Sequence, residues 1–122
     1  HITRRRQRQM CIRDRSKMLP GFQDKKIFDF LCLISQETSS EAIVCGGSSM
    51  QILDTTDILS KIKVPCLILT GSEDIVVSRE KSLFLYDKIK NALHIEIKGV
   101  GHAPYCENAL EFNEKISSFL ST

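Results

Sequence analysis

Residues 64–105 read VPCLILTGSEDIVVSREKSLFLYDKIKNALHIEIKGVGHAPY, and their patterning changes twice. VPCLILTG (64–71) is an apolar, β-prone run between Pro65 and Gly71, which predicts a strand buried on both faces. SREKSLFLYDKIKN (78–91) sets Leu83, Leu85, Tyr86 and Ile89 among charges, as an amphipathic helix would, with Ser78 as N-cap and Glu73 and Glu80 near its positive end. LHIEIKG (93–99) alternates Leu93, Ile95 and Ile97 with His94, Glu96 and Lys98, a strand with one wet face near a sheet edge. ENALEFNEKISSFL (107–120) then places Leu110, Phe112, Ile116, Phe119 and Leu120 for a closing amphipathic helix. Strands joined through a helix run parallel with a right-handed crossover. Two such strands cannot be covered alone, so this α/β unit is expected to be the end of a larger sheet.

Ligands of open parallel sheets bind outside the carboxyl ends of the strands. GSEDIVV follows the first strand and brings Glu73 and Asp74 to that edge; GVGHAPY follows the second and brings His102. Neighbouring parallel strands put these loops side by side, so Asp74 and His102, 28 residues apart in sequence, are expected to meet. An imidazole held by a carboxylate is half of a nucleophilic triad, because the carboxylate fixes the tautomer and stabilises the imidazolium. Taken singly, each residue also has an ordinary reading: a surface histidine, and a turn aspartate after glycine.

DILSKIKVPCLILTGSEDIVV with NALHIEIKGVGHAPYCENALEFNEKISSFL resembles the C-terminal part of an α/β-hydrolase, a likeness covering about residues 40–122. The family's acid lies in a Gly-x-x-Asp turn, matched by Gly71-Ser72-Glu73-Asp74, and its histidine in a Gly-His turn, matched by Gly101-His102. The resemblance implies catalytic roles for Asp74 and His102 in a serine carboxylesterase. ILDTTDIL, GHAPY and EFN are most similar to pimeloyl-acyl-carrier-protein methyl ester esterases of biotin synthesis, which implies a carrier-bound or small-molecule ester and acyl carrier protein as partner. Lactonases and haloalkane dehalogenases share much of the pattern. Residues 18–60 would then be the end of a helical lid and its connector, and 61–122 the C-terminal part of the core. No metal or organic cofactor is expected.

The family's G-x-S-x-G nucleophile elbow is missing. VCGGSSM offers Ser48, but Met50 stands where the second glycine belongs. Only 26 residues separate Ser48 from Asp74, too few for the helix, strand and lid that must intervene, so a turn or connector is the better reading. The nucleophile and oxyanion donors are therefore expected on sequence before this chain, which alone should be inactive. Among other residues, Glu73 is expected to point away from the histidine and His94 to be structural. Val76 and Val77 line an acyl pocket or pack, Tyr105 packs under the last helix, and Lys25 and Lys26 meet an acidic carrier or face solvent.

Hydrophobic residues make up 42% of the 122, so one globular domain is the prior expectation. No apolar run reaches the ~18 residues that span a bilayer. Residues 1–17 hold seven of the 17 Lys and Arg but one of the 15 acids. This basic leader lacks interleaved aromatics and a known binding module, so nucleic acid is not the expected partner, and a solvated, disordered tail is. RRRQRQMCIRDR also resembles translated sequencing-adapter read-through. The five cysteines form no C-x-x-C, and Cys32, Cys45 and Cys66 sit in apolar runs as small hydrophobes, which favours a reducing cytoplasm over disulfides or zinc. Upstream of Val64, DKKIFDFLCLI (24–34) predicts a mostly buried helix; 40–53 is helical or broken at Gly46-Gly47, with Ser40 near its start; LDTTDILSKI is a connector with a helical turn. Two rivals from other classes are a partner-binding α/β module using an exposed sheet edge and a basic-arm nucleic-acid binder.

Overall fold

The computed structural model describes residues 17–22 and 24–121, apart from the side chains of Cys32, Ser35, Gln36, Ser40 and Ile43. The basic leader up to residue 16, Cys11 and the side chain of Cys32 therefore lie outside the described residues. In chain order the elements are α1 (Lys25–Glu37), α2 (Ser40–Ile52), α3 (Thr56–Leu59), β1 (Cys66–Gly71), α4 (Arg79–Lys88), β2 (Ala92–Ile97), α5 (Pro104–Glu107) and α6 (Ala109–Leu120).

β1 and β2 pair in parallel, in register from Cys66 opposite Ala92 to Gly71 opposite Ile97. Their starts are tied together by Asn91, whose Nδ2 donates to Lys63 O at 2.7 Å and whose carbonyl accepts from Cys66 N at 2.9 Å. The ladder continues past their ends: Ser72 N donates to Ile97 O and Glu73 N to Val100 O, both at 2.9 Å. Among the described residues, Ile97, Val100 and Ala103 are buried here. Helix α4 lies against both strands, while α5 and α6 reach β1.

Four expectations are corrected in detail. Strand β1 is half-buried from Cys66 to Thr70 rather than buried on both faces, because among the described residues the sheet has two strands and incomplete helical cover. Helix α4 forms but is not amphipathic. Leu83, Phe84, Leu85 and Tyr86 are consecutive and all stay exposed, since four successive residues encircle a turn of 3.6 and cannot share one stripe. Ser78 is its N-cap residue by position, without a side-chain cap bond. Helix α1 forms with Asp24 capping Lys26 N and Ile27 N, yet Ile27, Phe30, Leu33 and Ile34 are exposed rather than buried. Helix α2 runs unbroken through Gly46 and Gly47, capped by Ser39 rather than Ser40, and its Cys45 is exposed.

The glycine pair weakens α2 without stopping it, since each glycine costs about 1 kcal/mol against alanine in a helix. A Cβ at Gly46 or Gly47 meets nothing within 4 Å. Gly46→Ala and Gly47→Ala should therefore each stabilise the helix by roughly 0.4–1 kcal/mol, read as a rise in the urea midpoint at constant slope.

Candidate active site

Because β1 and β2 end level with each other, the loops that follow leave from one edge. The first closes as a turn, with Asp74 N donating to Gly71 O at 3.3 Å. Asp74 then splits its two oxygens. Oδ1 accepts from Val76 N at 2.8 Å and Val77 N at 3.0 Å, which fixes the carboxylate plane. Oδ2 lies 3.0 Å from His102 Nδ1. The Asp74 side chain is 10% exposed and that of His102 40%, so the pair is sheltered at its acid end and open at its base end.

Partial burial acts to raise the Asp74 pKa, but the Val77 N–H, the His102 ring and the Val76 N–H together hold the carboxyl below its ordinary value of 3.8. An ionised Asp74 accepts the Nδ1 proton, which leaves Nε2 as the basic nitrogen. A carboxylate depressed on folding stabilises the fold above its unfolded pKa and loses that contribution as pH falls through the folded value. Asp74→Asn should therefore flatten the acid limb of a stability–pH profile below about pH 4, with little change in slope above it.

The other residues singled out from sequence fall elsewhere. Glu73 accepts from the Ser72 hydroxyl at 3.1 Å, and its backbone joins the two loops. His94 Nε2 lies 2.9 Å from Thr70 Oγ1, beside the Tyr86 ring at 6.5 Å, a packing role within the sheet. Ser48 is exposed inside continuous α2, not on a strand–turn–helix elbow, and not on the turn expected for it. Tyr105 and Phe112 set their rings in an edge-type contact at 6.1 Å, but Tyr105 stays exposed, as do Val76, Val77, Lys25 and Lys26. Burial first and the charge of Glu107 second push the Cys106 thiol up, which suppresses its thiolate at neutral pH. Among the described residues, no three His, Cys, Asp or Glu side chains gather as a metal site, and no helix is long and apolar enough to cross a membrane.

Sequence reasoning misses Glu107. Its carboxylate accepts from the N–H groups of Gly101, Ala103 and Gly21. The available signal is Pro104-x-x-Glu107: a proline that opens a helix, followed within one turn by an acid able to reach back to the helix start.

No protein-family model and no curated protein matches the chain. Solved structures do. An esterase from Exiguobacterium antarcticum superposes with a TM-score of 0.85 and 19% identity over 95% of this chain and 43% of its own. The fold is that of the C-terminal part of an α/β-hydrolase. A serine hydrolase involved in carbazole degradation matches this hydrolase fold with a TM-score of 0.74 and 21% identity over 93% of this chain and 47% of its own. Est816, an N-acyl homoserine lactone degrading enzyme, is 36% identical over 54% of this chain and 26% of its own, with a TM-score of 0.52. The chain spans less than half the length of each of these hydrolase structures.

Proposed function

We propose that the chain is the acid-and-base part of a serine carboxylesterase whose nucleophile and oxyanion donors lie on preceding sequence. The observation that carries this reading is the 3.0 Å contact between Asp74 Oδ2 and His102 Nδ1 at the ends of adjacent parallel strands. In the complete protein a serine hydroxyl would pass its proton to His102 Nε2 as it attacks the ester carbonyl. The imidazolium, stabilised by Asp74, would return that proton to the departing alkoxide. Water would then enter by the same exchange and release the acid. Helices α1 to α3 would form the end of a lid and its return to the core.

Within this class, the resemblance to pimeloyl-acyl-carrier-protein methyl ester esterases favours a carrier-bound methyl ester, and Lys25 and Lys26 are exposed to meet an acidic carrier. The free thiols of Cys45, Cys66 and Cys106 fit a cytoplasmic protein. The local likeness to Est816 supports a second reading, hydrolysis of a lactone. Expression of the full reading frame separates these. It should hydrolyse a short-chain methyl ester and be labelled by a serine-directed fluorophosphonate. A higher kcat/KM on N-acyl homoserine lactone would favour the second reading, and neither turnover nor labelling would defeat both.

A further inference from the structure

We propose that Glu107 is a positioning residue for His102, a role that rests on the base function proposed for that imidazole. Gly101 N donates to both carboxylate oxygens, at 3.0 and 2.9 Å, and Ala103 N donates to Oε1 at 3.1 Å. These two amides flank His102, so a single carboxylate grips the backbone on either side of the residue that bears the ring. The N–H of His102 itself donates to Met18 O at 2.8 Å. Gly21 N, 86 residues from Glu107 in sequence, donates to Oε2 at 2.8 Å and fastens the 18–22 strap to the same group.

Capping alone does not account for this arrangement. Ala103 is the N-cap of α5, so its bond to Glu107 serves the helix start. The bonds from Gly101 and Gly21 belong to the histidine loop and to the strap. A carboxylate offers about four acceptor sites, and four contacts engage it here. Bonds to an ionised acceptor are roughly twice as strong as neutral ones, and backbone donors have no rotamer freedom to lose. Glu107 thus acts on the ring through the main chain, by fixing the direction from which the side chain of His102 leaves toward Asp74.

The test uses the 15N-labelled full-length protein with Glu107→Ala and Glu107→Gln. In Glu107→Ala, amide exchange at Gly101 and Ala103 should accelerate about tenfold or more, while Leu69 and Ile95 in the strands stay within about twofold of wild type. Ring 1H–15N correlations of His102 should move from a single tautomer protonated at Nδ1 toward a mixture. Glu107→Gln, which keeps one carbonyl acceptor, should restore the ring pattern in part. An unchanged ring pattern in Glu107→Ala overturns the proposal. Equal acceleration of loop and strands in both variants, or unfolding of both, also overturns it, because Glu107 would then serve the whole fold. If Glu107→Ala alone unfolds, the ring pattern of Glu107→Gln decides: a shift toward the mixture supports the proposal and a wild-type pattern overturns it. The ring tautomer is read without substrate, so a failed ester assay would defeat the proposed activity and leave this result intact.

Discussion

In the full-length protein, His102→Ala is expected to lower kcat for ester hydrolysis by roughly four orders of magnitude or more, with KM little changed. In the proposed mechanism the ring would make its contribution in the transition state, when the serine proton must move, and would add little to holding the ground-state ester. Asp74→Asn should cost about 10⁴-fold for a more specific reason. Val76 N–H and Val77 N–H both donate to Oδ1, so an asparagine must place its carbonyl oxygen there. Its amide NH2 then faces His102 Nδ1. The ring answers by moving its proton to Nε2, the nitrogen that must be free to accept one. Steady-state kinetics on a short methyl ester measure both effects. An Asp74→Asn enzyme keeping more than about a tenth of wild-type kcat would remove Asp74 from the mechanism.

Gly71→Ala is expected to destabilise the chain by about 3 kcal/mol and to separate Asp74 from His102. A Cβ at Gly71 would overlap the carbonyl oxygens of Gly101 and Val100 and lie 2.8 Å from the Val100 carbonyl carbon. All three are main-chain atoms, so no side chain can swing aside. The loop must lift from the end of β1, which exposes Val100, only 3% accessible in the folded chain, and carries His102 away. Urea unfolding gives the stability change, and the His102 ring correlations report the separation. A midpoint within the error of wild type would show that the loop accommodates a methyl group. Gly101→Ala tests the other side of the same loop, because its Cβ would overlap Met18 O and lie 2.6 Å from Pro20 Cδ, displacing the 18–22 strap.

The meeting of Asp74 and His102 was legible because it depends on short-range signals. Val64 to Gly71 and Leu93 to Gly99 declare strands, and a parallel pair leaves little choice about where its loops emerge. Burial was less legible, for reasons that lie outside any local pattern. Phe30 and Leu33 carry the spacing of a covered helix face, but spacing does not supply the surface that covers it; both are exposed. Leu83 to Tyr86 look amphipathic only if Phe84 is passed over. Gly46-Gly47 left 40–53 open between a helix and a broken one, and the unbroken helix forms, since a helix absorbs two glycines when Ser39 caps its start. Glu107 stayed hidden because its partners are main-chain amides at positions 21, 101 and 103, and backbone donors leave no mark on side-chain identity.

The level pairing of Gly71 with Ile97 also governs which length changes the chain can absorb. Slipping β2 by one position along β1 would advance its end by about 3.3 Å, more than the whole span of the imidazole–carboxylate bond. An extra residue between Lys88 and Asn91 would disturb the buried Ile89 and its bond from Ala92 N before it reached the strands. One added between Ile97 and His102 would act on the site itself, because that spacer meters the imidazole directly against its acid.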